Sequence, residues 1–362
     1  MTQSTYRLAL ALIATVSLFH SALAQAKETL GTWQRECVGR FSLELPGEVD
    51  VAMPDYQSLL SAGGLYNIPY TFPGEALPEG QTWGDKQIAG FQLESGPLAD
   101  ATVFAAASKD MDARYAADIR EERATGVADP SHMKQIESEF PDTHTWAIGP
   151  GKHHLMRRGG RLFSLRERAT DDGAYTPWAR HVSATVRSRK VFEVPAEPGL
   201  CLHYGFLPDG GNLRRDIGVT YRLKEHPEIE IFFQDMSAGP PAGNRDLTAA
   251  QEVQKFWEFR HADPSDRQVR LLSPHMPGLK QFPDVVIANY EGKRSFVEIT
   301  RQNGSLDYGY MAFVKGDSNA KEDKPDLLLY VIRNAERARG TPLNRNEVEA
   351  IANHIAASVR RR

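Results

Sequence analysis

Each half of this 362-residue sequence opens and closes in the same way, and that recurrence restricts the architecture more than any other feature. The first half opens with Glu36-Cys-Val-Gly-Arg-Phe-Ser-Leu-Glu-Leu-Pro46, where Phe41, Leu43 and Leu45 alternate with polar residues as in a strand buried on one face. The second opens with Leu200-Cys-Leu-His-Tyr-Gly-Phe-Leu-Pro208, again Cys, aromatic, Leu and Pro in order. The closings are His181-Val-Ser-Ala-Thr-Val-Arg-Ser-Arg189 and His354-Ile-Ala-Ala-Ser-Val-Arg-Arg-Arg362, at similar distances from the two cysteines. Agreement in order and spacing reads as a duplicated module. The join falls near residues 194–199, where Pro195, Pro198 and Gly199 interrupt regular structure.

Between these landmarks the pattern predicts strands over 88–94 and 102–107, a polar helix over 111–124, and a hairpin of 153–158 and 161–166 around Gly159-Gly160. A helix follows over 177–189, with Trp178, Val182 and Val186 on one face. The second half predicts strands over 217–223 and 228–233 and a helix from about Thr248, with Val253, Phe256 and Trp257 buried. A hairpin of 285–290 and 294–300 turns around Glu291-Gly292, strands cover 306–314 and 327–332, and a last helix starts at Asn344 or Asn346. The terminal Arg360, Arg361 and Arg362 then complement the negative end of that helix. Runs of strands with helices at intervals indicate an α+β chain of two similar modules, each a mostly antiparallel sheet with packed helices.

Residues 1–24 read as a secretory signal peptide: one cation, Arg7, then a 12-residue apolar run over 8–19, then the small-residue pattern Ala22-Leu-Ala24. A bilayer-spanning helix needs about 20 apolar residues, so the run is too short to be an anchor. No Cys lies beside the cleavage site to carry a lipid, so the mature protein is expected in the periplasm and not lipidated. The mature units are then 25–193 and 194–362. With 43 Lys+Arg against 47 Asp+Glu the formal net charge is −4, and −5 once Arg7 is removed. No basic excess exists to neutralise phosphates, so nucleic acid is not an expected partner. In an oxidising compartment the only two cysteines, Cys37 and Cys201, are a candidate disulfide. The alternative is two buried thiols acting as small apolar groups.

Familiar chemistry is missing. There is no Gly-x-Ser-x-Gly nucleophile elbow, no phosphate-binding Gly-rich loop and no His-Glu-x-x-His. His153-His154 is the best metal candidate, but neighbours on a strand point to opposite faces and do not readily share an ion. His181 and His354 occupy equivalent helical slots. The acidic pairs Asp171-Asp172 and Glu121-Glu122 sit in turn-like or polar helical contexts, and 315–326 lacks the spacing of a calcium loop. No metal and no cofactor are expected. Two long Pro/Gly-rich stretches, 67–84 and 237–243, are loops of the kind that often bind, and Tyr70, Phe72 and Trp83 are their candidate partner-binding anchors.

The opening around Cys37, preceded by Trp33, resembles the start of the N-terminal domain of type VI secretion immunity proteins that neutralise lipase effectors. The segment from Val194 to Pro208 and the ending Thr341-Pro-Leu-Asn-Arg-Asn-Glu-Val-Glu-Ala-Ile resemble that family's C-terminal domain. The resemblance spans about residues 33–362. It implies a two-domain periplasmic inhibitor, not an enzyme, whose partner is a cognate phospholipase of the α/β-hydrolase type, blocked at its active-site entrance or lid. It also places Cys37 and Cys201 at the family's cysteine positions. The competing classes are a secreted hydrolase with a scattered active site and an envelope accessory or lipid-binding protein.

Overall fold

The computed structural model describes residues 32–60, 70–75, 85–88, 91–126, 133–148, 151–168, 176–211, 213–239, 247–260, 266–271, 282–320 and 322–362. The first half contains the hairpin β1 (Trp33–Val38) and β2 (Phe41–Pro46), the short strands β3 (Val49–Val51) and β4 (Met53–Pro54), helix α1 (Tyr56–Leu59) and β5 (Tyr70–Thr71). Then come β6 (Asp85–Ile88), β7 (Phe91–Leu98), the long helix α2 (Ala101–Thr125), β8 (Lys134–Ile136), β9 (Thr143–Ile148), β10 (Gly151–Arg158), β11 (Arg161–Arg168), helix α3 (Pro177–Thr185) and β12 (Arg187–Ser188). The second half runs β13 (Gly199–Cys201), β14 (Gly205–Pro208), β15 (Arg215–Leu223), β16 (Ile229–Met236), helix α4 (Ala249–Arg260) and β17 (Asp266–Leu271). It ends with β18 (Asp284–Ile287), β19 (Tyr290–Arg301), β20 (Leu306–Val314), β21 (Asp326–Arg333), helix α5 (Arg345–Ser358) and β22 (Arg360–Arg361).

One 14-stranded antiparallel sheet carries both halves, in the path β17-β19-β20-β21-β16-β15-β6-β7-β11-β10-β9-β8, with β18 beside β19 and β3 beside β15. From the central β6–β15 pair outward the order is β6-β7-β11-β10-β9-β8 on one side and β15-β16-β21-β20-β19-β17 on the other. The helices follow the same plan, α2 after β7 and α4 after β16, α3 after β11 and α5 after β21. The halves share one sheet and one core. The sheet is continuous, and the main core mixes Phe41, Leu43, Val182 and Phe163 of the first half with Leu200, Ile217, Phe233, Ile351 and Val359 of the second.

The exchange is sharpest at the cysteine hairpins. The β1–β2 hairpin, which opens the first half, is completed by β22 from the end of the second, while β13–β14 is completed by β12 from the end of the first. The registers correspond: Phe41 opposes Arg361 and Ser42 opposes Arg360, as Gly205 opposes Ser188 and Phe206 opposes Arg187. The Arg362 amide donates to Arg40 O at 2.9 Å and the Arg189 amide to Tyr204 O at 2.9 Å. Gly39 and Cys201 join the two hairpins through a reciprocal pair of bonds at 2.8 and 2.9 Å. Cys37 and Cys201 are disulfide-bonded across that junction, closing a separation of 164 residues.

Local expectations change in several places: the helix expected over 177–189 ends at Thr185 and gives way to β12, and the strand expected over 88–94 is divided between β6 and β7. Residues 102–107 belong to α2 and not to a strand, because Asp100 caps the Val103 amide at 2.8 Å and the Ala-rich run that follows is good helical sequence. The β18–β19 turn is Ala288-Asn289, both at positive φ, and not Glu291-Gly292. Gly292 has another duty: a Cβ there would lie 2.4 Å from Phe313 O on the adjacent strand. Helix α5 ends at Ser358, so the Arg360–Arg362 run is a strand and its anchor and not a helix-terminal charge cluster. The start of α5 is set by a capping box, Asn344 accepting from the Glu347 amide and the Glu347 side chain accepting from the Asn344 amide. Among the described residues no helix is long and apolar enough to cross a membrane.

Candidate functional site

In the second half, beside the start of β15, a polar cavity of about 380 Å³ opens. The start of β15 supplies Arg214 and Arg215, the end of β16 leads into Ser237, and the 317–324 loop supplies Asp317, Glu322, Asp323 and Lys324. Two of its lining residues, Arg215 and Asp323, belong to a chain of opposite charges. Arg40 pairs with Asp209 at 2.6 Å and its amide donates to Asp235 Oδ2 at 2.9 Å; Arg215 holds Asp235 at 2.5 Å and Asp323 at 2.9 Å; Arg361 reaches Asp323 at 3.1 Å. Burial pushes the Asp235 carboxyl up from its usual value, and Arg215 opposes that shift. Burial also works against the Arg215 charge, but Asp235 and Asp323 outweigh it and raise its pKa. The 315–326 segment is therefore one wall of a cavity, pinned by the C-terminal strand.

Tyr70 and Phe72 require a correction. Both are buried, at 0% and 2% exposure, so neither is a free partner-binding anchor. Tyr70 stacks on His203 at 5.1 Å, and the Arg222 guanidinium covers the Phe72 ring at 3.7 Å. Arg222 also holds Glu75 and pairs with Glu230, which Arg337 shares at 2.7 Å. The aromatic segment thus fastens the first half onto the second. Trp83, like residues 240–243 of the other long loop, lies outside the described residues.

His153 and His154 are both fully buried and point to opposite faces of β10. His153 joins the Tyr115 hydroxyl at 2.6 Å and Ser164 Oγ at 2.8 Å; His154 joins Thr145 Oγ1 at 3.0 Å and Glu167 at 3.2 Å. The Ser164–His153 contact pairs a hydroxyl with an imidazole, but both residues are 0% exposed and a substrate has no way to them. Among the described residues no group of three His, Cys, Asp or Glu is placed to hold a metal. Burial depresses the pKa of both histidines. The unfolded chain then binds more protons below the ordinary value of 6.5, so stability is full above it and falls as pH drops beneath it. Each histidine contributes up to about 1.4 kcal/mol per pH unit. Denaturant titrations should give a lower unfolding free energy at pH 5.5 than at 7.5, with a shallower dependence in His153→Gln.

His181 and His354 occupy matching places on exchanged partners. His181 Nε2 contacts Pro208 O at 3.0 Å and His354 Nε2 contacts Glu44 at 2.9 Å, each on the other half's hairpin. Trp178 and Trp33 stack against them. Sequence reasoning missed Asp235, Arg215 and Arg40. The available clue was Asp235 itself, a carboxylate inside Ile229–Met236, where every other inward position is apolar.

The described residues thus define a continuous α+β body with a polar cavity in its second half and with its hydroxyl–imidazole pair sealed in the core. Residues 193–362 match the family described as Tle cognate immunity protein 4 C-terminal domain. The whole fold resembles immunity protein TplEi of the type VI secretion system from Pseudomonas aeruginosa, solved with an "L" peptide, at 15% identity and TM-score 0.57, covering 92% of this chain and 99% of that one. It also resembles a chain of the Tle4–Tli4 complex at 15% identity and TM-score 0.54, covering 91% of this chain and 97% of that one. No curated protein matches the sequence.

Proposed function

We propose that this chain is a periplasmic immunity protein that binds and inhibits a lipase effector of a type VI secretion system, acting by stoichiometric binding and without catalysis of its own. The observation that carries the reading is the match of residues 193–362 to the Tle-cognate immunity domain, on a chain whose whole fold follows TplEi and Tli4. The start of the sequence supports the compartment, since residues 1–24 have the order of a cleavable signal peptide. A disulfide between the only two cysteines suits an oxidising space. Inhibition follows from occlusion: a protein covering the entrance or lid of a lipase excludes phospholipid, and an interface of roughly 1,600 Å² is enough for that.

The cavity of the second half, lined by charges of both signs, suits a mixed-charge polar segment of such a partner. Trp83 remains the aromatic anchor of the first long loop, its neighbours Tyr70 and Phe72 being used internally. The test is to look beside this chain's gene for a lipase-like protein carrying Gly-x-Ser-x-Gly, to express that neighbour in the periplasm with and without the chain, and to titrate the purified pair. Protection and a stable complex are expected, with binding weakened about tenfold or more in Trp83→Ala. No protection and no complex would remove the reading, whereas an unchanged affinity in Trp83→Ala would remove only that anchor.

A further inference from the structure

We infer that neither half of this chain is an autonomous domain: each is completed by the closing strand of the other, and the chain folds and opens as one body. The matched segment 193–362 contains β22, but the strand on which β22 lies, β2, belongs to the first half. Likewise β12 closes the first half in sequence and, among the described residues, pairs with β14 of the second. The closing arginines add ties of their own, Arg189 bridging both halves and Arg362 binding within the second. Arg189, at the end of the first half, pairs with Glu36 at 2.6 Å and donates to Cys37 O at 3.1 Å and Leu202 O at 2.9 Å. Arg362, its counterpart, donates to Cys201 Sγ at 3.0 Å and to the carbonyls of Pro195 and Glu197.

Cut from its partner, the second half would lose the sheet neighbour of β22, the Trp33 ring against His354 and the Ser358–Glu44 bond, and would uncover Val359. Backbone groups and apolar side chains buried in the intact chain would face water together, which makes the boundary at 193/194 a boundary in sequence and not in stability. Strand exchange of this kind holds whatever the protein binds.

The full-length chain provides the test. Deleting Arg360–Arg362 should speed amide hydrogen exchange across the β1–β2 hairpin by at least about tenfold, although that hairpin lies at the other end of the sequence. The mirror variant, Ser188→Pro in β12, should do the same to β13–β14 in the opposite half. A second readout places a protease site in the linker at residues 190–197. After cleavage and reduction the two fragments should still migrate as one species and unfold in a single transition. Faster exchange confined to the half that carries the change, or fragments that part and keep separate folds once reduced, would overturn the inference.

Discussion

Replacing Cys37 and Cys201 together by alanine is expected to lower the unfolding free energy by about 3–5 kcal/mol, the largest effect of any change that leaves the charged network intact. The bond closes a separation of 164 residues, and in the chain-entropy description a loop of that size restricts the unfolded ensemble by about 5 kcal/mol. The native state gives back little of this, since Cys37, Cys201 and Phe206 form a small buried cluster that alanine only partly empties. The same origin predicts a second signature. Freed of the crosslink, the unfolded chain expands and exposes more surface, so the denaturant slope m should rise while the midpoint falls. Both sulfurs belong to fully buried residues, so a reductant added to the folded protein should act slowly and need denaturant to act fully. A midpoint that moves by less than the equivalent of about 1 kcal/mol would mean that the exchanged hairpins hold the junction without the bond.

The junction also explains what the sequence could and could not reveal. The recurrence of Cys, aromatic, Leu and Pro at the openings, and of His and Arg at the closings, marked the segments that the structure brings together. Pattern matching within one chain is blind to which copy pairs with which, so it suggested two similar modules without the strands they share. The pairing is decided by where β12 and β22 can reach, a three-dimensional matter that leaves no trace in hydrophobic period. Helix α2 was half legible: its polar second part has the helical pattern, while Ala101-Thr-Val-Phe104 carries β-branched residues that read as strand until the Asp100 cap is seen to act. Tyr70 and Phe72 looked like binding anchors because an aromatic in a Pro/Gly-rich segment has the same sequence appearance whether its ring faces a partner or, as here, Arg222 and His203.

The exchange bears on how the proposed inhibition would work. A hinge at residues 194–199 would let two domains close on a partner, at the cost of ordering them upon binding. A continuous sheet joined by reciprocal strands offers one preformed surface instead, so less conformational freedom is lost on association. Association without a slow closing step is the kinetic counterpart of that geometry.

Asp235→Ala is the point substitution with the largest expected cost, about 3–5 kcal/mol, measured as the shift in unfolding free energy at constant m. Asp235 is 0% exposed and serves two elements at once: its Oδ2 accepts from the Arg40 amide at 2.9 Å and from Arg215 Nε at 2.5 Å. Alanine would leave a guanidinium whose side chain is 1% exposed with only Asp323 beside it, and would orphan a buried amide at the tip of the first hairpin. Removing one member of a buried pair costs more than removing both, so Asp235→Ala with Arg215→Met should recover part of the loss, a non-additivity that a merely local packing defect would not show. Asp235→Asn, which keeps one acceptor and the volume but not the charge, should fall between. Gly39 makes the site unforgiving from the other side: its φ is +54°, and a Cβ there would sit 2.2 Å from Asp235 Oδ2, so Gly39→Ala should approach the cost of losing the carboxylate itself. If Asp235→Ala cost less than about 1 kcal/mol, Arg215 would have to be drawing its support from Asp323 and solvent, and the charge chain would be a rim feature and not the fastening between the first hairpin and the second half.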